Sequence, residues 1–555
     1  MRKPLLLLGL ASAALVSNAQ SALDAYTFSQ PDLKGTARFM GMAGAFGALG
    51  ADLSTLSQNP AGIGVYRSSD IGFTLDLDCQ SSSATSMGLR TSDSQTRFLL
   101  NNIGAVFTLR LASSSVPNIN IGFTYNKNAS FNRVYSGSIP NLTSSLSNYI
   151  AACTTSDGWS EDDLLGDAYY NPYNSNVPWL DVLGYDGFLF NKEPNPNGTD
   201  APYYLGQFEP GVTTGNASFR VKESGSIDSY NIALGGNIAN VVFWGMDFDI
   251  THLDYTLTPT YAENLQNAYV ESSEGVLPIP AKWQLSNYYN ATGNGFNFKL
   301  GVIVKPIQEL RFGFAFHTPT WYSMSETFSA NLRYSYNNDV NRTVYTNDGT
   351  PGYNDMNFRS PWRFIASVAG VIGGRMIVSA DYEWTGYQGM QFSTPSPGGY
   401  YDGYYDYGYY PWDYLTRASS DYVTSPFAYT NQDIKDYYRH TDTFRIGAEF
   451  RVTDNFSVRG GYSHVSSPVK ESARDGVVYT AGTNPSYRFD QTTNYITAGL
   501  GYRVNKFYVD LAYVYKHMNS TYHAFSPYPD AGVASQTAEL GLTDNQVVLS
   551  AGFRF

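Results

Sequence analysis

Asn545-Gln-Val-Val-Leu-Ser-Ala-Gly-Phe-Arg-Phe555 ends the chain, and its side chains alternate between an apolar face and a mixed face. A period of two residues is typical of a β-strand, and about ten residues suffice for a tilted strand to cross a bilayer. We therefore predict that this segment closes a transmembrane barrel and is the part read by the barrel-assembly machinery. An edge strand of a soluble sandwich is the alternative. The apolar face comprises Val547, Leu549, Ala551, Phe553 and Phe555.

The amino terminus has the features of an export signal. Arg2 and Lys3 precede an apolar run over residues 5–16, and the small residues Ser17-Asn18-Ala19 follow. The run is too short to span a membrane as a helix, so residues 1–19 are predicted to be a signal peptide.

Composition favours a barrel wall over a set of soluble domains. Only 15% of the residues are charged, whereas 46 are tyrosine and 51 are glycine; a soluble chain is about a quarter charged. Loss of Arg2 and Lys3 would change the formal net charge from −13 to −15, which argues against nucleic acid as a partner. Cys79 and Cys153 could pair in an exported protein, and their sequence context leaves that open.

Alternating segments recur from residue 71 to the carboxy terminus, and there are about fourteen of them, an even number as bacterial barrels require. Short turns such as Ile372-Gly373-Gly374 alternate with long polar connections, which suits a barrel with short periplasmic turns and long external loops. Asp381, Glu383 and Arg445 are predicted to face the lumen, and Phe444 and Ile446 the lipid. The predicted external loops cover residues 78–100, 126–226, 255–295, 317–361, 386–442, 465–493 and 517–545.

The segment before the first strand is dense in small residues. Residues 35–50 are rich in glycine and alanine, and the rigid turn Asn59-Pro60-Ala61-Gly62 follows. The glycine spacing is not that of a nucleotide loop. We predict that residues 20–68 form a hatch inside the lumen and that residues 69–555 form the barrel with its external loops.

Three stretches resemble the FadL/TodX family of outer-membrane long-chain fatty-acid and hydrocarbon transporters, relatives of outer-membrane protein P1. They are the hatch with its Asn-Pro-Ala-Gly turn, Ser379-Ala-Asp-Tyr-Glu-Trp-Thr385, and residues 445–462. The resemblance implies a fourteen-stranded barrel in the bacterial outer membrane that passes hydrophobic small molecules inward by diffusion, with outer-membrane lipid around it and no cofactor. In that family the ligand is thought to leave sideways at a break in the third strand, which corresponds here to Asn126-Lys127-Asn128.

Within the hatch, five apolar side chains are candidates for contact with the ligand. Packing against the barrel wall is the equally weighted alternative for all five. They are Phe39, Met40, Met42, Phe46 and Leu49.

Other functions have weaker support in the sequence. The sequence contains neither a G-x-S-x-G nor an H-E-x-x-H motif, so no catalytic motif indicates an enzyme. No two histidines have the spacing of a metal site. A haem receptor would need two of the six histidines to converge at the outer strand ends, and an adhesin or scaffold could use the tyrosine-rich residues 398–414. The histidines are His252, His317, His440, His464, His517 and His523.

Overall fold

Fourteen antiparallel strands close into a barrel in the computed structural model, which describes residues 21–272, 275–337, 340–395, 427–474 and 476–555. The last strand pairs with the first from Asp70↔Arg554 to Thr85↔Glu539, so the predicted fold class is confirmed. The strands are β1 (Asp70–Ser86), β2 (Leu89–Arg110), β3 (Asn118–Ser130, resuming as Arg133–Ile139), β4 (Thr214–Ile238), β5 (Val242–Ser272), β6 (Gly275–Ile307), β7 (Leu310–His317, resuming as Trp321–Tyr336), β8 (Gly352–Arg359, resuming as Arg363–Ile372), β9 (Met376–Gly386), β10 (His440–Arg451), β11 (Phe456–Val465), β12 (Tyr487–Val504), β13 (Phe507–His523) and β14 (Thr537–Arg554).

Short helices lie inside the barrel and above it. No helix in the described part of the chain is both long enough and apolar enough to cross a membrane. Short strands at Phe190–Lys192, Tyr204–Gly206, Val340–Tyr345 and Gln391–Ser393 complete the external part. The helices are α1 (Ala22–Thr27), α2 (Ala37–Met40), α3 (Thr55–Gln58), α4 (Leu146–Asp157), α5 (Glu161–Leu164), α6 (Trp179–Asp186), α7 (Ala428–Tyr437) and α8 (Glu471–Arg474), with 3₁₀ turns at Pro60–Val65, Pro172–Asn174, Thr346–Gly349, Tyr387–Gly389 and Pro529–Ala531.

The two faces of the wall follow the predicted alternation. On β10, Phe444 and Ile446 are more than half exposed on the outside, whereas Arg445 makes an ion pair inside the lumen. On β14, Val547 and Leu549 are exposed and Val548 is fully buried. An apolar outer face and a polar inner face are what lipid outside and an enclosed lumen require.

The predicted loops 78–100 and 255–295 are wrong as irregular segments, because both are long strand hairpins. β1 and β2 are joined only by Met87-Gly88, and β5 and β6 run for 31 and 33 residues. Beyond the bilayer no lipid selects an apolar face, so stretches such as Ser81-Ser82-Ser83 form strands without the period-two signal. Cross-strand pairing holds them instead.

The structure also bears on the two cysteines and on two segments singled out in the sequence. Cys79 on β1 and Cys153 on α4 are free thiols. The proposed signal peptide and the tyrosine-rich residues 398–414 lie outside the described residues.

Candidate functional site

Residues 35–64 pack against the inner wall of the barrel. Met40, Met42 and Phe46 have no exposed surface, and Phe39 and Leu49 are nearly as buried. The Phe39 and Phe46 rings lie 5.6 Å apart. All five predicted ligand-contacting residues therefore belong to one apolar cluster, in which the wall residues are Ala369, Tyr495, Ala512, Val514 and Val548.

The Asn-Pro-Ala-Gly turn and the following Ile63 rest on glycines of three neighbouring strands. Gly235 pairs with Gly245, and Gly245 pairs with Gly301, so the three form a row across β4, β5 and β6. A Cβ on Gly245 would overlap the Pro60 carbonyl, and one on Gly301 would overlap the Asn59 side chain. The wall thus lacks side chains where the turn approaches it most closely.

Within the turn, the Asn59 side chain joins two parts of the hatch. Its Nδ2 donates to the Gly47 carbonyl at 2.6 Å, and its Oδ1 accepts from the Ala61 amide at 3.1 Å. Pro60 begins the 3₁₀ turn, and Pro60, Ala61 and Gly62 are buried. The four motif residues therefore connect two parts of residues 35–64 and lie against the barrel wall.

Buried ion pairs tie the hatch to the strands. Lys34 Nζ lies 2.7 Å from Asp76 Oδ2 and 3.3 Å from Asp78 Oδ2, and it donates to Gln546 at 3.0 Å. Burial lowers the pKa of Lys34, but the carboxylates of Asp76, Asp78 and Asp32 together raise it by more, so its pKa lies above the usual value. Lys34 therefore remains an ammonium ion at physiological pH.

A carboxylate of the wall holds the middle of the hatch. Asp381 Oδ2 accepts from the Phe46 and Gly47 amides, both at 3.0 Å, and from Gln58 Nε2 at 3.2 Å. Asp381 lies on β9, with its side chain in the lumen as predicted. The sequence placed this residue on the inner face but gave no sign that it binds backbone amides of the hatch.

A cavity of about 210 Å³ lies in the lumen above the hatch. Tyr26, Gln30 and Leu33 line it from the leading segment of the hatch, residues 21–34, and Phe39 and Gln58 line it from residues 35–64. The cavity is also lined by the three residues predicted as the sideways exit, Asn126, Lys127 and Asn128. The structure thus brings part of the hatch and the predicted exit residues to one space.

The wall changes its pairing at those three residues. The β2–β3 ladder ends at Asn102↔Asn126, and a register shift between Lys127 and Ala129 interrupts the β3–β4 ladder. Beyond Asn102 towards the outside, β2 pairs with β1 alone among the described strands. The resulting seam between β2 and β3 is a place where the barrel wall has no backbone ladder.

One side-chain hydrogen bond crosses this seam, and the leading segment of the hatch lies against the free edge of β3. Asn102 Nδ2 donates to Asn126 Oδ1 at 2.6 Å, and Asn126 Nδ2 donates to Asn231 Oδ1 at 2.8 Å. The Asp32 amide donates to the Asn128 carbonyl at 2.8 Å. Asp32, in the leading segment of the hatch, therefore occupies part of the edge of β3 that β2 leaves free.

A second cavity of about 100 Å³ lies further out, and α1 separates it from the first. Tyr26 and Gln30 line both cavities. The Tyr26 ring stacks on Tyr438 at 5.2 Å, and Gln30 donates to Asp490 at 2.8 Å.

Burial raises the pKa of the Asp24 carboxyl, at the start of α1, to about 6.

One of the six histidines lies away from its predicted position. His317 was predicted near an outer strand end, but it is buried in the lumen, where its Nε2 lies 2.7 Å from the Gln58 carbonyl. The interruption between the two parts of β7 explains the error, since this strand continues outward after Pro319. No group of three or more potential metal ligands occurs among the described residues.

One solved structure and one family model agree with this architecture. A FadL homologue of Pseudomonas aeruginosa shares 12% identity, with a TM-score of 0.50 over 95% of this chain and all of that one. The toluene transporter TodX of Pseudomonas putida shares 12% identity over 94% and 99% of the two chains, with a TM-score of 0.47. The search of curated protein sequences gave no match. The family model described as outer membrane protein transport protein (OMPP1/FadL/TodX) matches residues 232–545, more than half of the chain. The chain therefore belongs to this family of outer-membrane transport proteins.

Proposed function

We propose that this barrel takes up hydrophobic small molecules, such as long-chain fatty acids or similar compounds, by passive diffusion past a hatch formed by residues 20–68. The observation that carries the proposal is the luminal cavity, which has hatch residues below it and the β2–β3 seam beside it. A ligand held there would need only a local rearrangement to leave. The family's role in transporting hydrophobic molecules supports this assignment.

The ligand would pass from the outer cavity, past α1, to the inner cavity. Tyr26 and Gln30 lie between the two, so their displacement would join the cavities. Weak sites in series let a molecule move without being trapped, because each binds it well enough to admit it and loosely enough to release it.

The exit would be the seam at Asn126, Lys127 and Asn128. Release of the Asp32 amide from the Asn128 carbonyl would free the edge of β3 at the height of the cavity. The polar atoms there would remain next to the lumen, where they have partners, and the ligand would enter the lipid directly.

A reversible cross-link tests the route. Asp32→Cys with Asn128→Cys, in a Cys79→Ser, Cys153→Ser background, joins the leading segment to β3. Uptake of a labelled fatty acid into proteoliposomes should stop on oxidation and return on reduction, whereas the two single-cysteine variants should be insensitive. Equal uptake in both redox states would remove the sideways route.

Deletion of residues 35–64 tests the hatch itself. We expect loss of selective uptake and gain of a general pore that passes small ions. If the truncated barrel inserts and still takes up the fatty acid at the parental rate without passing ions, the hatch has no part in the mechanism.

A further inference from the structure

We propose that the luminal cavity selects uncharged amphiphiles whose head carries hydroxyl groups, such as an acylglycerol, in preference to free carboxylates. This inference rests on the proposed transport function and narrows the ligand class named there, so that a fatty acid serves as a transport probe but is not the preferred ligand. It comes from the chemistry of the lining, in which the charges are paired and hydroxyl groups are free.

Every cationic side chain that lines the cavity already has an anionic partner. Seven lysines and arginines line it, and nine carboxylates form ion pairs with them. A ligand carboxylate would have to displace one of these internal partners or give up its hydration without a counter-charge, and both are unfavourable. The seven are Lys34, Lys127, Arg133, Lys299, Arg363, Arg445 and Lys516.

Two guanidinium groups share one carboxylate, and this pair comes nearest to offering an unpaired positive charge to a ligand. Arg363 and Arg445 both bind Glu383, and Arg445 Nη1 has no hydrogen bond in the described chain. Arg445 is directly opposite Asp381 in the β9–β10 ladder, so a second carboxylate balances the second guanidinium. This part of the lining is therefore neutral as a group.

Hydroxyl groups form a patch on the same wall. Thr443 on β10, Val465 on β11 and Thr493 on β12 are opposite one another in register, so their side chains share the inner face. Thr441 and Ser463 lie two residues away on the same face. The four hydroxyl groups line the cavity and make no hydrogen bond with another described residue, so they can donate to and accept from a ligand head.

Apolar side chains supply the rest of the lining. Phe28, Leu33, Phe39, Ile227 and Met518 contribute hydrocarbon surface to the cavity. A ligand with a hydroxylated head and an alkyl tail satisfies both parts, whereas a plain hydrocarbon leaves the hydroxyl patch without partners.

The test compares three probes with matched tails: monooleoylglycerol, oleate and octadecene. The protein is held in amphipol and offered equal free concentrations, and bound probe is measured by mass spectrometry. Monooleoylglycerol should be retained at least about tenfold more than oleate. Equal or better retention of oleate or octadecene would overturn the preference and leave the proposed transport function standing. Retention of none of the three would overturn the transport function as well.

A variant of the hydroxyl patch locates the site. Thr441→Val with Thr443→Val keeps side-chain shape and should weaken monooleoylglycerol binding roughly tenfold, as expected for two lost neutral hydrogen bonds. Octadecene binding should not change. Thr441→Ser with Thr443→Ser keeps the hydroxyl groups and should bind as the parent does, as should the control Thr91→Val on the exposed part of β2. Unchanged binding in the valine variant would refute the assignment of the patch.

Discussion

Substitution of Lys34 by methionine should loosen the hatch without opening the barrel. The Lys34 and Asp76 side chains are fully buried and their charged atoms lie 2.7 Å apart. The methionine leaves Asp76 and Asp78 without their ammonium partner. Breaking a buried pair in this way costs about 3–5 kcal/mol, because the remaining charge stays buried. The backbone ladders of β1 are not involved, so the cost falls on docking of the hatch.

Labelling of a buried cysteine measures that cost. Ala48 in the hatch has no exposed surface, and Ala48→Cys in a Cys79→Ser, Cys153→Ser background reports hatch release through its reaction with a maleimide. When closing is faster than labelling, the rate follows the population of the released state. Lys34→Met should therefore accelerate labelling by roughly 200- to 5,000-fold.

A charge-matched control separates the ion pair from packing. Lys34→Met combined with Asp76→Asn and Asp78→Asn removes the unpaired carboxylate charges. This variant should restore most of the protection of the Ala48→Cys thiol from the maleimide. If Lys34→Met alone is labelled at the parental rate, the ion pairs do not hold the hatch, and the reasoning from buried charge is wrong. Equal acceleration in the triple variant would assign the effect to lost packing.

Three further perturbations have defined outcomes. Gly301→Ala should displace the Asn59 turn and raise ion conductance in planar bilayers, whereas Gly370→Ala, where the nearest atom to a new Cβ is 3.8 Å away, should behave as the parent does. Because the pKa of Asp24 rises from 3.8 to about 6 on docking of α1, docking binds a proton and should weaken as pH rises from 4 through 6; the mobility of a spin label on α1 should increase over that range, but not in Asp24→Asn. Asn126→Leu removes one hydrogen bond from each of Asn102 and Asn231, which keep Tyr125, Ser229 and Asp247 as partners; at about 0.5–1.5 kcal/mol each, the loss should lower the temperature at which the barrel loses its heat-modifiable electrophoretic mobility.

The membrane part of the fold could be predicted because lipid enforces a simple pattern. Each spanning strand must present apolar side chains outward at every second residue, and Phe444, Ile446, Val547 and Leu549 follow that rule. Outside the bilayer the constraint is absent. The hairpins β1–β2 and β5–β6 extend far into regions predicted as loops, since their pairing depends on partners distant in sequence.

The sequence by itself determined that the chain forms a closed barrel of about fourteen strands with a small-residue segment ahead of it, because period-two alternation and turn residues are local properties. Only the tertiary structure decided which wall residues meet that segment. The glycine row of β4–β6, the carboxylates around Lys34 and the hydroxyl patch of β10–β12 each come from separate strands. The register of the ladders brings them together, and register depends on contacts between residues far apart in the chain.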